Sequence, residues 1–143
     1  MRSQRVAAWA SVLAVGAAVV TGLSIIGKPS EQRSIRLDER RVMDLRVLAG
    51  AVNRYRGQRQ QLPARAEDVI DGQITTRLPL DPESQQPYDY RVIDAGHYEV
   101  CATFSRRSRE PSNDFWFHEA GRRCFSLDAD QNPYNSRAQT RVL

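Results

Sequence analysis

Residues 87–104, "PYDYRVIDAGHYEVCATF", decide how the rest of the chain is read. Tyr88, Tyr90 and Val92 alternate with polar neighbours. Asp94, Ala95 and Gly96 interrupt the pattern, and Tyr98, Val100, Ala102 and Phe104 resume it. A period of two places each set on one face of an extended strand, and the Asp-Ala-Gly break supplies the turn. The stretch therefore predicts a β-hairpin with one aromatic-rich side.

Just upstream, "LPLDPESQQP" carries Pro82 and Pro87, each fixing its own φ and pushing the residue before it out of the helical region. Asp81 and Glu83 form a candidate carboxylate pair there. The better expectation is structural: an aspartate before proline accepts backbone N–H bonds in a turn, and Glu83 is left to solvent. No second polar cluster is evident nearby to supply an acid, base or oxyanion partner.

Downstream, "SRRSREPSN" reads as a polar loop, "FWFH" as a strand or a tucked aromatic plug, and "EAGR" as a turn. In the closing strand "RRCFSL", Phe125 and Leu127 face the core while Arg122, Cys124 and Ser126 face away. Cys101 likewise lies opposite the Tyr98/Val100/Phe104 stripe. If the closing strand pairs beside the hairpin's second strand, both sulfurs emerge on one side of the sheet, as a cross-strand disulfide requires. Closing so short a loop contributes about 3 kcal/mol in the chain-entropy model. The alternative is two free thiols. A disulfide implies an oxidising compartment.

Other constellations are weaker. Two cysteines and two histidines raise a Cys₂His₂ zinc site, but His97 lies four residues along the strand from Cys101, about 13 Å away, whereas zinc ligands sit about 2 Å from the metal. The same gap separates any Cys101/His97 nucleophile–base pair. Asp114 and His118 flank Phe115, Trp116 and Phe117; on a strand they share a face without touching, and His118 reads as a locally bonded loop residue. Asp128, Asp130 and Asn132 have the spacing of the first calcium-loop positions, but Pro133 replaces the required glycine and no acid closes the loop. No G-x-S-x-G, H-E-x-x-H or P-loop pattern occurs. No catalytic residue, metal ligand or cofactor is assigned.

Upstream of the hairpin, apolar residues recur at Leu37, Val42, Leu45, Leu48, Ala49, Val52 and Tyr55, with Arg40, Asp44, Arg54 and Arg56 off the stripe. Spacings of three and four predict one amphipathic helix, with Gly57 as its end. "ARAEDVIDG" predicts a short helix placing Ala66, Val69 and Ile70 inward and stopping at Gly72.

The N-terminus is different in kind. Val6–Ile26 is a run of 21 residues without a charge. As a helix it spans about 31 Å, the thickness of a bilayer's hydrocarbon core. It is longer than the apolar core of a cleaved signal peptide, the alternative reading. The expected organisation is a cytoplasmic tail at 1–5, a transmembrane anchor at 6–26, a juxtamembrane linker at 27–33, an α+β domain at 34–128 and a flexible tail at 129–143. The net charge of +4 contains Arg2 and Arg5, so from Gly27 onward 19 basic residues face 17 acidic ones. That balance argues against nucleic acid as a partner, and leaves Arg106, Arg107 and Arg109 as a solvated cluster or a contact for an anionic lipid head group or an acidic partner, with nucleic-acid binding through them a further alternative. Two basic residues precede the anchor and five follow closely (Lys28, Arg33, Arg36, Arg40, Arg41), which alone favours a cytoplasmic domain. The cysteines argue for the opposite side.

The order of anchor, amphipathic helix, Leu62-Pro63, short helix, Asp81-Pro82, Pro87-Tyr88-x-Tyr90 and a strand beginning at Tyr98 resembles the major pseudopilin of type II secretion and related type IV pilin-like proteins. The likeness covers roughly residues 35–104. It implies an amphipathic helix packed on a small three- to four-stranded antiparallel sheet, with Leu62, Pro63, Asp81, Pro82, Pro87, Tyr88 and Tyr90 forming a structural turn motif. It departs where pilins are processed: "RSQRVAAWASV" has neither the glycine–aromatic cleavage site nor the glutamate that follows it in class III prepilins. The expectation is a non-catalytic, single-pass inner-membrane protein of bacterial type with its C-terminal domain in the periplasm. Its expected partners are the inner membrane, other envelope or secretion-machine proteins, and further copies of itself through the helix. A subunit of a secretion or pilus-like machine is one alternative, and a metal-binding or enzymatic periplasmic domain another.

Overall fold

In the computed structural model the structure describes residues 2–26, 29–109, 111–112 and 114–131. The chain divides into two units, Met1–Arg33 and Ser34–Leu143.

The first unit contains helix α1, Arg2–Ile26. Its described side chains cover positions 9–22, and the large apolar ones among them are exposed, from Val19 at 55% to Trp9 and Leu13 at 70%. Among the described residues no helix is long and apolar enough to cross a membrane. A span needs about 20 apolar residues.

The second unit is α+β. Helix α2, Pro29–Arg59, begins in the first unit and runs into it. A proline suits the first turn of a helix, where its missing N–H has no partner to lose. A single 3₁₀ turn at Ala66–Val69 follows, and then strands β1 (Asp89–Val92), β2 (His97–Phe104) and β3 (Gly121–Asp128). They form one antiparallel sheet in the order β1-β2-β3. In the β2–β3 register, Val100 lies opposite Phe125, Tyr98 opposite Leu127, and Cys101 opposite Cys124. The alternation expected of both strands thus holds, and the two cysteines are joined by a disulfide.

The core lies between α2 and the inner sheet face. Leu45, Leu48, Ala49 and Val52 of α2 are buried in one cluster with Tyr98, Val100, Phe104, Phe125 and Leu127 of the sheet. Tyrosines fix the layers polar end to polar end. The Tyr98 hydroxyl donates to Asn53 Oδ1 at 2.6 Å, Tyr88 donates to Asp44 Oδ2 at 3.1 Å, and Tyr90 donates to the Pro63 carbonyl at 2.9 Å. A buried phenol needs such a partner. Burial raises the pKa of all three, and at Tyr88 the adjacent Asp44 adds to it.

Several expectations are corrected. Helix α2 does not stop at Gly57; it continues to Arg59 and ends where Gln60 takes φ 58° and returns its N–H to the Arg56 carbonyl. Ile70 is 44% exposed, because the 3₁₀ turn ends at Val69 and its tighter pitch directs only Ala66 and Val69 inward. Asp44, expected on the solvent face, is buried beneath Tyr88. "FWFH" is no strand: its turn from Asp114 tucks Trp116 into the core, which is the plug alternative. Of the tail expected at 129–143, the first residues are tied to the domain, and residues 132–143 lie outside the described residues. Ala129 is buried and donates its N–H to the Gly96 carbonyl, and Asn53 Nδ2 donates to the Gln131 carbonyl.

Candidate functional site

The Asp81–Gln86 turn is closed by its own backbone. Asp81 N–H donates to the Gln86 carbonyl, and Gln85, at φ 58°, donates back to the Asp81 carbonyl, both at 2.9 Å. Asp81 Oδ1 accepts the N–H groups of Glu83 (3.0 Å) and Ser84 (2.8 Å) and the Ser84 hydroxyl. That much is the expected Asx turn.

The other half of the arrangement comes from α2 and was not anticipated. Arg41 is buried and directs its guanidinium at this turn. Its Nε donates to Asp81 Oδ2 at 2.6 Å, its Nη2 to Glu83 Oε2 at 2.8 Å, and its Nη1 to Asp38 Oδ1 at 2.8 Å and Ser105 Oγ at 3.3 Å. Asp38 is buried too, and accepts the backbone N–H groups of Ser105 and Arg106 just past the end of β2. One cation therefore ties α2 to both the proline turn and the sheet. Glu83 is not simply solvated, and Asp81 does have a second polar cluster beside it.

The protonation states follow. The hydrogen bond to Asp81, then those to Glu83 and Asp38, raise the Arg41 pKa against the cost of its burial. Desolvation pushes Asp81 upward, but the Arg41 guanidinium and the N–H groups of Ser84 and Glu83 outweigh it and hold the carboxyl at about 2. A carboxylate so acidic is a poor proton donor or acceptor near neutral pH, and an arginine whose donors are already engaged has little left for a substrate. The cluster serves cohesion.

Sequence reasoning missed Asp38 and Arg41, although a signal was there. Positions 38, 41, 45, 48, 52 and 55 continue one three–four spacing, so the two charges extend the buried stripe itself.

The remaining candidates separate. His97 pairs with Asp94 across the hairpin turn at 2.8 Å, with no metal geometry toward the cysteines. Among the described residues the grouping with ligand atoms close enough for a metal is Glu99, Cys101 and Cys124. The disulfide removes both thiolates, and Glu99 accepts from Arg91 Nη2 at 2.6 Å. Asp128 caps its own turn, accepting from Asp130 N–H and Gln131 Nε2, while Asp130 stands 3.7 Å from Arg56; Asn132 lies outside the described residues. Asp114 accepts the Trp116 N–H at 2.8 Å and shapes the plug.

His118 is a loop residue bonded locally, as expected, its backbone exchanging hydrogen bonds with Ser108, but its burial was not expected. It is buried and stacks on Phe104 with ring centroids 3.6 Å apart. Burial lowers its pKa, and its Nδ1 has no hydrogen-bond partner. It lines a cavity of about 230 Å³ between α2 and the segment after β2. Val42, Met43 and Trp116 supply apolar walls, and Arg46, Arg107 and Arg109 line it as well. The Arg46 guanidinium lies over the Trp116 ring at 5.6 Å, with its Nε buried and without a hydrogen bond.

No protein-family model, curated protein or solved structure matches the chain.

Proposed function

We propose that this chain is a non-catalytic, membrane-anchored periplasmic domain that serves a structural or interaction role. The observation that carries this is the Cys101–Cys124 disulfide in a domain preceded by 21 uncharged residues. A cross-strand disulfide favours an oxidising compartment, and the exposed Trp9, Leu13 and Val20 of α1 are poorly suited to water. The engagement of Asp81 and Glu83 by Arg41 supports the non-catalytic half of the reading.

The test is alkylation of intact cells with and without reductant, joined to alkaline carbonate extraction of the membranes. Cysteines that resist alkylation until reduced, in a chain that stays in the membrane pellet, are the expected result. Two freely alkylated thiols, or release into the soluble fraction, overturn it.

A second reading is a subunit of a type II secretion or type IV pilus-like assembly, the pseudopilin-like alternative. Met43 and Val47, 55% and 48% exposed and one turn apart on α2, favour it by offering an apolar face to a second copy. N-terminal sequencing decides: a mature terminus inside the present chain supports processing by a prepilin peptidase, and an intact terminus sinks that reading.

A further inference from the structure

We propose that the cavity between α2 and the loop residues 106–109, 116 and 118 docks an acidic peptide that inserts a single aromatic or branched aliphatic side chain. The proposal deepens the interaction reading above and does not depend on the anchor.

Size comes first. The space of about 230 Å³ exceeds the roughly 150 Å³ apolar cavity that takes up benzene, and falls short of the roughly 300–1,000 Å³ typical of drug-sized ligands. It suits one anchoring side chain.

Its walls agree. Ile35, Val42, Met43 and Trp116 are apolar, and Met43 is 55% exposed where a partner would arrive.

Charge supplies the second constraint. Arg46, Arg106, Arg107 and Arg109 line the same cavity against Asp38 and Glu39. Asp38 is already bound to Arg41 and to two backbone N–H groups, so it opposes an anion weakly. An apolar hole among arginines is complementary to an apolar side chain flanked by carboxylates. A bare phosphate headgroup would use the arginines and leave the hole empty.

The third observation is independent of both. Among the described residues, the buried side-chain polar atoms lacking a hydrogen bond are Arg46 Nε and His118 Nδ1, and both residues line this cavity. Buried polar groups are ordinarily satisfied. A carboxylate seated in the cavity would meet the Arg46 guanidinium, whose fork favours bidentate pairing, and a peptide backbone group could serve the His118 Nδ1.

The experiment is a fluorescence-anisotropy titration of the full chain, in non-ionic detergent micelles, against fluorescein-labelled Glu-Asp-Phe-Asp-Glu. Arg46→Gln with Arg109→Gln is expected to weaken binding about tenfold or more, the size of one charge-assisted contact. Replacing the peptide's phenylalanine by serine should have a similar effect, and raising the salt should weaken binding further. Met43→Asp, at an exposed position, should abolish it while leaving the thermal midpoint and the disulfide intact, which keeps the test valid if the arginine variant fails to fold. Four results overturn the proposal: equal binding by the serine peptide, equal binding by the folded variants, no binding up to about 1 mM, or capture of phosphatidylglycerol bicelles instead of the peptide. Any of these would leave the alkylation and extraction results standing.

Discussion

Arg41 and Arg46 lie five residues apart on one helix, both against the protein, and they are treated in opposite ways. Arg41 reaches two carboxylates at 2.8 Å or less from neighbouring segments and a third within its own helix. Arg46 rests on the Trp116 ring, and its Nε has no hydrogen bond. A buried cation is tolerated when its partners come with it, and Arg41's partners come from three places in the sequence. Among the described residues Arg46 has stacking and no ionic partner. The first arrangement closes the fold; the second leaves chemistry unspent beside a cavity.

The sharpest way to break this comparison is Arg41→Met. It leaves the buried Asp38 and the partly buried Asp81 without their cation, at a cost of about 3 kcal/mol. Urea unfolding of the variant should show a midpoint shift of that size. Arg41→Met combined with Asp81→Asn should cost less than the two single changes added together, because the neutral amide no longer needs the charge. A loss under 1 kcal/mol for Arg41→Met would mean that water replaces the hub.

Next in size is the disulfide. It joins the middle of β2 to β3 on the face away from α2, and β3 carries Phe125, 4.8 Å from the Trp116 ring. Reduction should lower stability by about 3 kcal/mol, read by unfolding with and without reductant. The loss falls on the Trp116 side, since no atom of the Arg41 hub belongs to β3.

How far the sequence discloses these features depends on whether a pattern is local. The hairpin, the closing strand and the cysteine pairing follow from alternation of period two, which is written into neighbouring residues. The stripe on α2 is equally local from Leu45 to Tyr55. Its continuation by Asp38 and Arg41 is hidden, because a charged residue at a stripe position reads as solvent-facing until the carboxylates of Asp81 and Glu83 are brought to it from 40 residues away. The same holds for the burial of His118, which stays hidden until Phe104 of β2 is placed against its ring. Hydrophobic periodicity predicts which faces are buried; it does not say which buried charges find partners.

Acid separates the two regions at a lower cost. The Asp81 pKa falls from its usual 3.8 to about 2 in the folded protein. Between these values the unfolded chain binds more protons than the native one. The contribution of Asp81 is thus complete above pH 4 and is lost as pH falls toward 2. After allowance for solvent screening it amounts to about 1 kcal/mol. Asp81→Asn should flatten that limb of the stability curve. His118 acts earlier. Its folded pKa lies below the usual 6.5 because burial disfavours the imidazolium, so the unfolded chain takes up a proton first and stability declines as pH drops below 6.5. His118→Gln should remove that decline and leave the one below pH 4. Thermal midpoints between pH 3 and 8 resolve the limbs, and a single limb abolished by Asp81→Asn alone would refute the assignment of His118.

The smallest effect is the most informative about the comparison itself. Arg46→Met removes a cation that contributes a ring contact and no hydrogen bond at Nε, and methionine covers the Trp116 face with a chain of similar reach. The expected cost is about 1 kcal/mol or less, the range for a partly exposed cation–π contact. Arg41→Met, the same chemical change five residues earlier, should cost several times more. If the two variants unfold at the same urea concentration, then burial and not partnering governs the cost of an arginine on this helix. If they differ as expected, Arg46 is nearly dispensable to the fold. An arginine that the fold does not need, held over an aromatic ring at the wall of a cavity, is then best explained by what it meets outside the chain.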